Sequence, residues 1–204
     1  MTQYEMRQKL IDSAIFVASS EGFHKTTTKA ISVHSGINEA YIYRFFNDKE
    51  DLYEKTFAQL DVEVATNIMN SMSVMNLQGV DIYNKCNMLF AACWRFLLSD
   101  RHKCSYFIKY YYSHYYNTYP KEHRKIVYAN VVDCFATAFI DGTDVWWQFN
   151  AILDVVFSNI VKILRDEIPN NEETAKKVFD LVYSVTKPHL TWHNEEESLQ
   201  QAKN

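Results

Sequence analysis

The chain has 204 residues, 48% hydrophobic and 23% charged, with a net charge of -4 and a pI near 6.0. These values describe a soluble globular protein of one large or two small domains and exclude one that coats nucleic acid through bulk basic charge. Four Gly and three Pro predict few sharp turns, hence mostly helix, whereas 14 Tyr, 13 Phe and 4 Trp are an aromatic excess that the fold must place.

In chain order, the first segment, MTQYEMRQKLIDSA, carries acidic residues and no clean apolar core, so it does not read as a signal peptide. Residues 5–21 show helical periodicity through Met6, Leu10, Ala14 and Val17, flanked by Ile11, Ile15 and Ala18, and Gly22 ends the helix. From Thr26 the pattern is two short helices around a tight turn. Thr27 or Thr28 can cap the first, and Ile31 and Val33 give it apolar contacts. Gly36 suits the left-handed end of that helix, and Asn38 can cap a second helix over roughly 39–46. Asn47 and Asp48 open a third, predicted over 49–72, with Asp48 paired to Asp51 or Asn47 to Glu50. This layout is a helix-turn-helix, whose second helix enters the DNA major groove.

At these residues the sequence resembles the TetR family of bacterial transcriptional regulators. The resemblance rests on Thr26-Thr27, Ile31, Ser35-Gly36-Ile37-Asn38, Tyr43-Arg44-Phe45-Phe46 and Lys49, and it runs from Lys9 to Tyr53. Asn38 stands for the family's usual Ser, Ala40 for a frequent Gly, and Ala30 for a frequent acidic residue. The resemblance implies an all-α fold in which an N-terminal three-helix helix-turn-helix domain, residues 1–48, precedes a larger helical ligand-binding and dimerisation domain, residues 49–204. It implies that Thr27, Lys29, Tyr43 and Lys49 grip phosphates, since a hydroxyl at a helix start, two ammonium groups and a phenol can all face an oxyanion. Base reading falls to Asn38, Glu39, Ala40 and Tyr41. Glu39 can accept from a cytosine amine, and Ala40 or Tyr41 can touch a thymine methyl. Arg44 can reach a phosphate or a guanine. Ile42 and Phe46 are expected in the core, Phe45 is open between core and DNA, and Lys29 has the alternative of a solvated surface charge. Residues 1–50 carry six basic and six acidic side chains, so affinity must come from placed contacts and from pairing of two copies.

Beyond Asn76-Leu77-Gln78-Gly79, helices are predicted at 81–99, 103–117, 120–140, 145–168 and 172–186, with no strand. Tyrosines at 106, 110, 111, 112, 115, 116 and 119 point almost all round a helix. With Trp94 and Trp147 from other helices, Phe107, Tyr110, Tyr111 and His114 are candidates for a pocket holding a planar or cationic small organic effector, through stacking and cation–π attraction. The alternative is a large aromatic core. Stripes at Ile152, Val155, Val156, Ile160 and Ile163, and at Ala175, Val178, Phe179, Val182 and Val185, suit a homodimer through the last two helices. Cys86, Cys93, Cys104 and Cys134 form no C-x-x-C pair and read as reduced thiols. His102 with Cys104 and His189 with His193 are the only metal-like spacings, and neither has an obvious third ligand. No catalytic motif is present, so no enzyme activity, cofactor or metal is expected.

The expectation is therefore a cytoplasmic, homodimeric regulator that binds a double-stranded DNA operator and is released from it by a small molecule, a repressor by family habit. No membrane span is expected. The competing possibility is a helical small-molecule-binding protein or enzyme that does not use DNA.

Overall fold

The computed structural model describes residues 1–191. Within them the chain forms nine α-helices and no strand. They are α1 Gln3–Glu21, α2 Thr28–Ser35, α3 Ala40–Phe45, α4 Lys49–Ser71, α5 Ile82–Leu98, α6 Arg101–Tyr111, α7 Lys121–Ala136, α8 Val145–Leu164 and α9 Glu172–Thr186. Short 3₁₀ turns occupy Met72–Asn76, His114–Thr118 and Lys187–His189, and Phe139 makes an isolated antiparallel bridge with Leu190. His193 lies outside the described residues, as does most of the polar tail. No described helix is long and apolar enough to cross a membrane.

Polar caps set many of these helix starts. Thr2 and Glu5 form a reciprocal capping box on α1. Asp100 accepts from the His102 and Lys103 N–H groups, Asp144 from Trp147 and Asn171 from Thr174. The helix predicted over 103–117 is broken. α6 stops at Tyr111, where Ser113 Oγ donates to Tyr110 O at 2.7 Å, and the chain resumes as a 3₁₀ turn. The break has a packing reason. An unbroken helix would spread its tyrosines around the circumference, whereas the turn returns Tyr115 to Phe23 and Tyr53, and Tyr116 and Tyr119 to Phe57.

Two compact units divide the chain: Met1–Thr66 with Phe96–Arg124, and Asn67–Arg95 with the chain from Lys125 onward. This division does not follow a cut at residue 48, because most of α4 and all of α6 pack with the N-terminal helices. In the first unit α1 is the hub. It buries Leu10, Ile11, Ala14, Ile15, Val17 and Ala18 and packs on both α2 and α6. Beside it lies an aromatic core. Phe57 stacks with Phe107 at 4.8 Å and Tyr110 at 4.5 Å, while Phe23 meets Tyr53 and Tyr106 edge-on at 4.9 and 5.0 Å. The buried phenols are partnered: Tyr53 donates to Thr26 O and Tyr106 to Tyr53 O. Burial pushes the Tyr53, Tyr106 and Tyr110 hydroxyls well above the usual phenol range, so all three are neutral at ordinary pH.

In the second unit α8 packs on α9, and Phe90 of α5 reaches Phe179 of α9. Tyr128 of α7 meets Phe149 of α8. The four cysteines are free thiols, and burial raises Cys86 and Cys93 to about 11 and Cys104 to about 12, which keeps those three protonated.

Candidate nucleic-acid interface

The helix-turn-helix is fixed by a few local bonds. Thr27 caps α2, its Oγ accepting from Ala30 N at 3.0 Å, and Gly36 closes α2 in the left-handed region at φ 66°. A side chain there would be strained, which explains the glycine. Ser32 Oγ donates to Ile37 O and Ser35 Oγ accepts from Ile37 N, so both serines hold the turn from inside. Asn38 Oδ1 then accepts from Ala40 N at 2.9 Å at the entry to α3. That helix runs Ala40–Phe45, slightly shorter than the span read from sequence.

α3 is anchored from one side. Ile42 is fully buried and Phe46, just past its end, is 2% exposed. Arg7 of α1 lies over the Phe46 ring at 5.3 Å. The other side faces outward: Asn38, Ala40, Tyr43 and Arg44 are exposed, Tyr43 at 59%. Glu39, Tyr41 and Phe45 are half-buried, so Phe45 falls between core and surface. The Arg44 guanidinium lies 5.8 Å over the Tyr41 ring, which in turn stacks loosely on Phe45. Thr27 and Lys29 are exposed at the start of α2.

Three local features differ from the sequence reading. Val33 is 75% exposed and gives α2 no core contact; Ile31 alone of that pair is buried. α4 opens with the Asp48–Asp51 pairing read from the sequence, Asp48 taking the Asp51 N–H at 2.7 Å and Asp51 taking that of Asn47 at 2.8 Å, but Lys49 is not left free beside it. Lys49 itself sits 5.7 Å over the Tyr53 ring and 3.9 Å from Glu50, with its side chain 27% exposed. Glu39 also has a fixed partner, because Thr28 Oγ1 donates to Glu39 Oε1. This role for Thr28 was legible only as one of two candidate caps; Thr27 does the capping, which frees Thr28 to hold the carboxylate.

Of the six aromatic-pocket candidates, Phe107, Tyr110, Tyr111 and His114 belong to the first unit and Trp94 and Trp147 to the second. Phe107 and Tyr110 are buried against Phe57, and Tyr111 lies under the Arg124 guanidinium at 5.0 Å. His114 is exposed and stacks beside His24. Trp94 is buried on Phe90 in the second unit, where Trp147 is 72% exposed. His102 is engaged by Ser19 Oγ at 2.8 Å and Cys104 is buried, so their metal-like spacing does not form a ligand pair on an open face. On α8 and α9 the predicted stripes are partly inward: Val156, Ile160, Ile163, Val178, Phe179 and Val182 are buried, Ile152, Val155 and Ala175 half-buried and Val185 exposed.

Comparison with known proteins agrees with this geometry. Residues 10–56 match the family model for bacterial regulatory proteins of the tetR family. Over 92 residues the chain is 30% identical to IcaR, the HTH-type negative transcriptional regulator of the biofilm operon icaADBC in Staphylococcus aureus; the match covers 45% of this chain and 44% of IcaR. The chain thus matches less than half the length of the curated relatives. A TetR family transcription regulator from Marinobacter aquaeolei superposes with a TM-score of 0.70 at 16% identity, covering 90% of this chain and 97% of that one. The regulator FadR from Bacillus subtilis, solved with stearoyl-CoA, gives 0.62 at 16% identity, covering 86% and 96%. At these identities the superpositions establish the fold.

Proposed function

We propose that this chain, whose N-terminal domain belongs to the TetR family and whose fold is that of the family's solved members, is a DNA-binding transcriptional repressor that acts as a twofold pair and is released by a small organic molecule. The observation that carries this is the ridge at residues 38–44. One fully buried anchor, Ile42, holds it down, and Asn38, Ala40, Tyr43 and Arg44 project from it. A six-residue helix so exposed contributes little to a core, and its outward residues have the donors, acceptors and apolar edges that base reading uses. Thr27, Lys29, Tyr43 and Lys49 set the register on phosphates. Glu39, with one oxygen held by Thr28, offers the other to a base amine. Tyr41, half-covered by Arg44, reads by its edge.

One such head is too small to be specific, so two copies must read two half-sites. Leu181 and Val185 on α9 are 53% and 49% exposed, and with half-buried Ile152 and Val155 on α8 they supply an apolar face for pairing. Repression and response to a ligand are supported by IcaR, a negative regulator, and by FadR, which holds stearoyl-CoA. The protein acts in the cytoplasm, as an operator-binding role requires, and is not an enzyme.

The test is a gel shift of the whole protein against the DNA upstream of its own gene, repeated across a salt series. A complex of two copies with a falling log K against log salt is expected, each phosphate-bound Lys or Arg adding about 0.9 to the slope. A protein that binds no upstream DNA, or binds it only as a single copy without sequence preference, contradicts the proposal and leaves the helical ligand-binding protein or enzyme.

A further inference from the structure

A cavity of about 130 Å³ opens within the first unit, between α4, the α5–α6 corner and α6. Leu60, Val64, Phe96, Leu97, Cys104 and Phe107 form an apolar wall, and Glu63, Asp100 and Lys103 stand at the rim. Across the rim Lys103 Nζ meets Glu63 Oε2 at 2.9 Å, tying α6 to α4, with both side chains part-exposed. Asp100 Oδ1 is committed to the first N–H groups of α6. Two carboxylates and one ammonium thus stand among the lining side chains, with Arg101 next in sequence to Asp100 but outside that lining.

Along its length α6 is also fastened to α1, the helix that packs on α2 of the reading head. His102, next to Lys103, meets Ser19 Oγ at 2.8 Å, and Lys109 Nζ donates to Ser19 O. Ser19 is 7% exposed near the end of α1, and α1 packs on α2. These contacts join α6 to the end of α1 at Ser19, inside one compact unit.

We propose that this cavity is the effector site and that it takes a small organic monocation: a primary ammonium on an apolar group the size of one six-membered ring. The volume sets the ring, since an apolar cavity of about 150 Å³ accommodates benzene. The rim sets the charge, because Glu63 can exchange Lys103 for the ligand ammonium, whereas an anion pairing with Lys103 would have to displace Glu63 and lie beside Asp100 as well. The occupied cavity frees Lys103 from α4, loosens the α4–α6 tie and shifts the end of α1. This inference rests on the ligand-responsive reading above and adds to it where the ligand sits and of what class it is.

Benzylammonium is the probe, with benzyl alcohol and benzoate as neutral and anionic isosteres, titrated calorimetrically into the full chain. Benzylammonium should bind at least about tenfold more tightly than either, the ratio expected from one hydrogen bond to a charged group. Leu60→Phe, which fills the cavity, should abolish that binding while retaining a cooperative melt. If that variant does not fold, Glu63→Gln keeps the volume and should bring benzylammonium and benzyl alcohol to equal affinity. Equal binding of benzoate, undiminished binding in Leu60→Phe, or a charge preference that survives Glu63→Gln overturns the proposal, as does the absence of any benzylammonium binding at millimolar concentration. Anisotropy of the wild-type protein on operator DNA separates the two levels. No DNA binding without probe sinks the regulatory reading, whereas DNA binding that benzylammonium leaves unchanged sinks only the effector site.

Discussion

The recognition ridge and the aromatic core belong to the same compact unit and use the same side chains in opposite ways. On α3, Tyr43 is 59% exposed around a single buried anchor; on α6, Tyr106 and Tyr110 are at 0% and 1%. The ridge is short and packs from one side, so its phenols stay in water. The core receives rings from the α1–α2 connection, α4, α6 and the turn after it, so its phenols need internal acceptors and find them on Thr26 and Tyr53. Tyrosine identity does not separate a contact residue from a structural one; the number of elements converging on it does.

That contrast can be broken most forcefully at Phe57, which is fully buried and stacks on two rings of α6. Phe57→Ala should cost about 3–5 kcal/mol in denaturant unfolding. Tyr43→Ala should stay within about 0.5 kcal/mol of wild type and lose operator affinity instead. Equal destabilisation by the two would erase the distinction between ridge and core.

A second measure follows from the raised phenols. Tyr53, Tyr106 and Tyr110 ionise near 10 in the unfolded chain and only at higher pH when folded, so between those values the unfolded state holds fewer protons. Stability should be level up to about pH 9 and then fall as pH rises through about 10, each such tyrosine costing up to about 1.4 kcal/mol per pH unit. Thermal melts from neutral to alkaline pH, read beside phenolate absorbance, check this.

On the ridge, Thr28→Val removes the hydroxyl that holds Glu39 while keeping the shape. It should alter base preference at one position of each half-site by about 1–3 kcal/mol, the same position that Glu39→Gln alters. Selection from randomised DNA would show this, and a uniform loss over all positions would make Thr28 a backbone contact. The smallest effect is expected at Lys49. Lys49→Ala should lower the salt slope by about 0.9 and weaken all sequences alike. Its cation–π contact with Tyr53 and its acidic neighbour hold part of the charge back from DNA, so the loss in affinity should be less than that from Lys29→Ala.

Much of this was legible in the chain. The starts of α8 and α9 fall at 145 and 172 as read, because the Asp144 and Asn171 bonds that set them span three residues and depend on little else. Gly36 and the buried Ile42 and Phe46 were legible for the same reason. Val33 was not, because a two-turn helix packed from one side has too few positions for periodicity to show which apolar residue faces outward. Nor was the break after Tyr111, since no Gly or Pro marks it; contacts to Phe23, Tyr53 and Phe57, some sixty to ninety residues distant, create it.

By itself, then, the sequence determined the all-helical class, the helix-turn-helix near its start and the residues able to face DNA, because each is written in bonds and patterns that close within a few residues. Only the tertiary structure decided that the tyrosines of α6 fill a core, that Thr28 holds Glu39, and that a small cavity with a charged rim lies beside them. Those outcomes depend on which distant segments meet, and no local pattern carries that information.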